Sequence, residues 1–196
     1  KKRFNGNIFV KYKGIDECKY KAKIRVTGDL WWHLDWKKGS PLSSLQIQLL
    51  NGHIYNVTQF KLFLKKARMD HNEIFVANFF KHIGFISPKT FYLNAKINNV
   101  EHQYIFQEDI RKELLEDSFF REGPILEGDE RFTVNLTEKE KVKFPDINYA
   151  KILNQNFLIK NSSNSAMGLE SLSNINKLFL YNHIYKQENK IIDPFS

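Results

Sequence analysis

The sequence predicts an α+β fold: an antiparallel sheet with one packed helix, followed by a partial, mainly helical second lobe. Three observations lead there. Before residue 108, apolar and polar residues alternate in several short runs, the period of half-buried strands. One segment, 70–83, breaks the alternation and repeats its apolar residues at helical spacing. After Glu108 the alternation ends and the chain becomes acidic, then polar, then helical in pattern. The implied domains are 1–108 and 109–196, with a polar insertion at about 128–148.

In chain order, Ile8-Phe9-Val10 is a short apolar strand. Tyr20, Ala22, Ile24 and Val26 alternate strictly with Lys19, Lys21, Lys23 and Arg25, until Gly28-Asp29 breaks the run. Leu45, Ile47 and Leu49 alternate with Gln46 and Gln48, and Asn51-Gly52 supplies a turn. Val57, Phe60, Leu62 and Leu64 make the next strand, which ends in Lys65-Lys66.

The helix opens at Asp70, with Glu73 three residues on in a capping-box arrangement. Val76, Phe79, Phe80 and Ile83 share one face, which the spacing predicts to be buried. Gly84 stops the helix and Pro88 blocks its resumption. Phe91, Leu93, Ala95 and Ile97 alternate again, Asn98-Asn99 turns the chain, and a strand over 101–107 pairs back. Ile110, Leu114 and Leu115 then lie on an acidic helix broken by Gly123-Pro124. A short helix over 148–158, a Ser/Asn linker over 161–168 and a last helix over 169–186 complete the reading, with no clear cap over 191–196.

Composition narrows the classes. The chain has 196 residues, 42% hydrophobic and 27% charged, which excludes a disordered tail. No run approaches the ~20 apolar residues of a membrane-spanning helix. Cys18 is the only cysteine, so an internal disulfide and a zinc ribbon are excluded, and a reducing, cytoplasmic setting fits. Thirty Lys and Arg against 22 Asp and Glu give +8, which favours anionic partners such as nucleotide phosphates, nucleic acid, or an acidic protein or membrane surface. The phosphate-loop, dinucleotide, zinc-protease and serine-hydrolase signatures are all absent. His33, His53, His71, His82, His102 and His183 lack ligand spacing, and Cys18 has no evident partner base. Trp31, Trp32 and Trp36 crowd a loop after Gly28. They close the open end of a sheet, or they grip a ring or a partner.

Strands, one helix, then two strands ending at a glutamate is the element order of a kinase amino-terminal lobe. There a strand lysine grips phosphates, a helix carboxylate holds that lysine, and the segment after the last strand meets the nucleotide. Lys61 or Lys65 is the candidate lysine, Glu73 its partner and Glu108 the connector. Each has a plainer role: Lys61 on a solvent face, Glu73 as a cap, Glu108 as a helix start.

Five groups of residues then stand in a telling order. They are Lys23-Ile24-Arg25-Val26-Thr27-Gly28-Asp29 with His33, then Ser44-Leu45-Gln46-Ile47, then Phe60-Lys61-Leu62 with Arg68 and Glu73. Gln107-Glu108 with Lys112 follow, and last Arg121-Glu122-Gly123-Pro124-Ile125 with Asp129-Glu130. Over residues 23–130 this series resembles the CotH kinase-like family, atypical kinases first known from spore coats, and the Arg-Glu-Gly-Pro-Ile run is its most specific part. The chain departs from the family at Asn98-Asn99, where hairpins usually carry Asn-Gly, and at Gln46, where members often carry Arg or Lys. It also departs at Glu101-His102-Gln103, where Gly often appears.

The resemblance implies ATP with Mg²⁺ or Mn²⁺ as cofactors and Ser/Thr of a protein as phosphoacceptor. It implies Lys61 or Lys65 on phosphate, Glu73 as the lysine's partner, Arg68 as an anchor at the helix start and Glu108 at the nucleotide cleft. The family's catalytic and metal-binding aspartates lie in a carboxy-terminal lobe past the matching region, and the chain opens at Lys1 without Met. The expectation is a kinase fragment with little or no turnover, in which no catalytic or metal residue is assigned. The competing class is a non-catalytic basic and aromatic binding module for an acidic protein or nucleic acid, working through Trp31–Trp36 and the Lys19–Arg25 strand, or a structural coat-type protein.

Overall fold

The computed structural model describes residues 2–12, 17–28, 31–37, 39–128 and 149–188. The chain divides into two compact units, 1–121 and 122–196. The first contains β1 (Phe4–Val10), β2 (Cys18–Val26), a 3-10 turn (Trp31–His33), β3 (Leu34–Lys37), β4 (Ser40–Ser43), β5 (Leu45–Leu49) and β6 (Gln59–Leu64). A second 3-10 turn (Lys65–Arg68), α1 (His71–His82), β7 (Thr90–Ile97), β8 (Val100–Glu108) and α2 (Lys112–Asp117) follow. The fold class is α+β, as the alternation predicts. Six strands form one curled antiparallel sheet in the order β1-β2-β5-β6-β8-β7, and β3 and β4 form a separate hairpin.

Strict alternation sorts the sheet into two chemically different faces. Ala22, Ile47, Leu49, Phe60, Leu62, Leu64, Tyr104 and Phe106 point to one face and form the core, with Leu42, Ile54 and Val57 closing over it. Phe91, Phe106 and Phe60 stack in succession, with ring centroids 4.6 and 4.7 Å apart. Each ring removed from water contributes about 1.5–3 kcal/mol. Asn98 and Asn99 both take positive φ, 50° and 63°, and close β7 onto β8 with Ile97 opposite Val100. Asparagine tolerates that region, so the Asn-Asn pair serves as the turn.

Four sequence expectations are corrected. The helix lies where its spacing places it, but Val76, Phe79, Phe80 and Ile83 are exposed rather than buried. A second stripe at the same period, Glu73, Ile74 and Ala77, is the half-buried one. The sheet beneath offers polar Gln107 and Tyr92, which suit a glutamate and a small alanine better than phenylalanines. The capping box does not form: Asp70 makes no cap hydrogen bond and instead accepts one from the Tyr92 hydroxyl at 2.6 Å. Trp31–Trp36 is not a loop but a 3-10 turn running into β3, with Trp31 and Trp36 73% and 68% exposed. Those two therefore do not close the sheet, whereas Trp32 is half-buried.

The fourth correction lies in the second unit, where β9 (Leu126–Gly128) pairs with β10 (Ala150–Ile152), followed by α3 (Gln155–Leu158) and α4 (Ser162–Glu188). The predicted 148–158 helix is thus a strand and a single helical turn. The predicted 161–168 linker is the start of α4, because the Asn161 side chain accepts the Asn164 N–H at 2.8 Å and caps the helix. Gly168 is buried where a Cβ would overlap Leu158, so its lack of a side chain lets α3 and α4 approach closely. Asn154 accepts from the Ile125 N–H at 2.7 Å and donates to the Gly123 carbonyl at 2.9 Å, clamping the Arg-Glu-Gly-Pro-Ile run. Nearly all of the polar insertion, and the segment 191–196, lie outside the described residues. No helix among the described residues is long and apolar enough to cross a membrane.

One core residue violates the usual rule for buried polar groups. Tyr104 is fully buried and its hydroxyl has no hydrogen-bond partner among the described residues. Burial pushes that hydroxyl's pKa up to about 12. An unsatisfied buried donor costs about 1–3 kcal/mol. Tyr104→Phe is therefore expected to raise the melting temperature or leave it unchanged, whereas Phe106→Ala should cost about 3–5 kcal/mol in denaturant unfolding.

Candidate functional site

The face of the sheet opposite the core is polar, and cross-strand register lines its residues up. Arg25 stands opposite Gln46, Gln46 opposite Lys61, Lys61 opposite Gln107, and Gln107 opposite Thr90. Neighbours in such a row have Cβ atoms about 4.5–5.5 Å apart, close enough for direct bonding. Arg25 Nε donates to Gln46 Oε1 at 2.5 Å. Gln46 Nε2 and Gln59 Nε2 each donate to Asp109 Oδ2 at 2.6 Å. Lys61 Nζ sits 3.0 Å from Asp109 Oδ1, and Arg111 Nε sits 4.0 Å from Oδ2. One carboxylate thus gathers β5, β6 and the segment leaving β8.

Each sequence candidate has a definite place. Lys61 points to this polar face, and α1 brings Glu73 to the same face. The two do not bond: Lys61 pairs with Asp109, and Glu73 accepts from Gln107 Nε2 at 2.5 Å, one position across the row from Lys61. Lys65 lies just past β6, 3.8 Å from Asp70 and 4.7 Å from the centre of the Tyr92 ring. Arg68 stacks its guanidinium 4.3 Å above Phe63, with Nε buried and unbonded among the described residues. It braces the turn before α1.

Glu108 turns the other way. Its neighbour Gln107 faces the polar side, so alternation sends Glu108 to the core side, where it is 3% exposed. There it accepts the Lys89 N–H at 3.1 Å and lies 3.5 Å from Lys89 Nζ, while its Oε1 has no partner among the described residues. Burial, the larger influence, raises its pKa above the ordinary 4.5 against the pull of Lys89. Lys89 also pairs with Asp117 and holds that carboxyl below its usual value, which ties α2 to β7 and β8.

Asp109 and Gln59 were not singled out from the sequence, and Arg25 and Gln107 entered only as members of longer runs. Parity was the available signal: residues two apart on a strand share a face, so Gln107 and Asp109 belong with Lys61, and Glu108 does not. Gln46 links a cation to a carboxylate. Its amide accepts from Arg25 and donates to Asp109, which a second cation beside Arg25 would not do. Among the described residues no group of three or more His, Cys, Asp or Glu side chains is gathered as a metal site.

The Gly28 and His33 pair at the end of β2 has a steric logic. Gly28 has φ +84°, and a Cβ there would overlap the His33 ring. His33 Nδ1 lies 3.0 Å from the Ser44 hydroxyl, which accepts the Leu64 N–H at 3.1 Å. Glycine therefore keeps that ring, and through it Ser44, in place. Gly28→Ala is expected to lower the melting temperature by several degrees, and adding His33→Ala should restore part of the loss but not the φ strain.

Glu108 yields a pH signature. Its folded pKa is raised, so the folded state holds the proton more tightly than the unfolded chain does. Its contribution is full below 4.5 and is lost as pH rises through the folded pKa. Wild type minus Glu108→Gln stability, from denaturant titrations between pH 4 and neutrality, should fall as pH rises; a flat difference contradicts this. No protein-family model matches the chain, and no curated protein matches its sequence.

Proposed function

We propose that the first unit is the nucleotide-holding lobe of a CotH-like atypical protein kinase, which would bind ATP with Mg²⁺ or Mn²⁺ and pass the terminal phosphate to Ser or Thr of a protein partner. The observation that carries this reading is the row Arg25–Gln46–Lys61–Gln107 with Glu73 laid on it from α1. A strand lysine and a helix carboxylate share one face, separated by a single cross-strand position. That is a short rearrangement from the lysine–carboxylate pair that kinase lobes use.

The charges on the row support an anionic ligand. The Arg25 guanidinium is bonded to the neutral amide of Gln46 and has no carboxylate partner among the described residues. Arg25 and Lys61 would hold phosphate oxygens, and Glu73 would orient Lys61 once it leaves Asp109. On this reading Asp109, rather than Glu108, is the carboxylate on the nucleotide side. Lys65 and Arg68 sit where they would support the start of α1. Bound ATP would supply the phosphoryl group; the residues described here bind and orient it.

Thermal unfolding with saturating Mg-ATP tests this. Ligand at about 100 times its Kd stabilises by about 2.7 kcal/mol, several degrees for a unit of this size. Lys61→Met and Arg25→Met should abolish the shift, and Lys96→Met, on the same face but at the opposite end of β7 from the row, should keep it. No shift in the wild type, or an equal shift in Lys61→Met, overturns the reading.

A further inference from the structure

The half of the polar face that α1 leaves open carries a second charge pattern. Strands β1, β2 and β5 contain no Asp or Glu. Lys19, Lys21 and Lys23 are exposed, point to the same side and recur every second residue, roughly 6.6 Å apart. Across the register, Lys19 faces Phe9, Lys21 faces Asn7 and Lys23 faces Asn5. Lys23 also faces Gln48 on the other side.

Four other lysines of this unit are compensated, Lys61 by Asp109, Lys65 by Asp70, Lys66 by Asp35 and Lys89 by Asp117, whereas Lys96 stands alone rather than in a row. Lys19, Lys21 and Lys23 have no carboxylate partner among the described residues. The contact found for Lys19 is with a ring, its ammonium lying 5.6 Å from the centre of Phe9. Phe9 is 56% exposed, on a strand at the edge of the sheet. A hollow of about 270 Å³ opens beside the strip, lined by Asn5, Asn7 and Lys21 among others.

We infer that this strip binds single-stranded nucleic acid. Three uncompensated cations in line meet a phosphate backbone, an exposed ring offers a stacking surface, and flanking Asn and Gln amides offer donors and acceptors to base edges. An acidic protein would use the cations but has no need of a ring flanked by amides. The strip is distinct from Arg25 and Lys61, so it stands independently of the nucleotide reading.

Fluorescence anisotropy with a labelled oligo-dT 20-mer tests it, with heparin and poly-glutamate as competitors. Wild type is expected to bind at about 50 mM salt and to weaken steeply as salt rises. The triple variant Lys19→Gln, Lys21→Gln, Lys23→Gln should lose at least about tenfold in affinity. Its log–log salt slope should shrink by about 2, at roughly 0.7 per phosphate contact removed. Phe9→Ala should lose about tenfold for oligo-dT and nothing for heparin, since stacking is specific to bases. Both variants should melt like the wild type, and the triple variant should keep any Mg-ATP shift, which separates this proposal from the previous one. No binding at low salt, unchanged binding by the triple variant, or a Phe9→Ala variant that binds oligo-dT like the wild type each overturns it. Poly-glutamate competing as well as oligo-dT does so too, by assigning the strip to acidic proteins.

Discussion

The Asp109 carboxylate is the constraint on which the polar face depends. It accepts from Gln46 and Gln59 and neutralises Lys61, with Arg111 nearby, so two strands, β5 and β6, answer to one acidic group just past the end of β8. Its side chain is only 11% exposed, and Gln46 and Gln59 are buried. Buried amides and charges are tolerable only when each has a partner, because desolvation is otherwise uncompensated. Removing this one group would leave two buried amides short of an acceptor and a lysine without its counter-charge. The polar side of the sheet is therefore held by a network, while the other side is held by stacked phenylalanines.

This division gives the sheet its functional geometry. The core face spends its residues on packing, so any chemistry must sit on the opposite face. That face is itself divided. Over β6, β8 and β7 it is roofed by the 3-10 turn and α1, with Phe63 and Ile105 buried beneath. Over β1 and β2 it stays exposed and cationic. Arg25 lies near the line between the two, bonded inward to Gln46, while Lys19, Lys21 and Lys23 face outward. One sheet thus presents two anion-seeking regions with different neighbours: a networked one under a helix, and a bare one beside an edge strand.

Much of this was legible in the residues, and the misses are instructive. Strand positions follow directly from alternation because burying one face of a pleated sheet imposes period 2. The Asn98-Asn99 hairpin follows from the ease with which asparagine adopts positive φ. The buried side of α1 does not follow, because two stripes on that helix share the same spacing. The more apolar one, containing Phe79 and Phe80, was the natural choice. What decided against it was a polar patch of sheet, assembled from Gln107 and Tyr92, that rewards Glu73. The Ser/Asn stretch before α4 misled for a related reason: the same side chains that break helices also cap them, and position relative to the helix decides which.

Taken alone, the amino-acid order determined the α+β class, most strand limits, the helix between β6 and β7, and which residues of each strand share a face. All of these rest on interactions between near neighbours. Only the tertiary structure decided that Lys61 pairs with Asp109 rather than Glu73, that Glu108 points into the core with Lys89, and that Gly28 yields its space to His33. Those outcomes turn on which distant strand lies alongside and in which register. A shift of one residue would exchange the faces, so the partners of a polar side chain exist only once the sheet has formed.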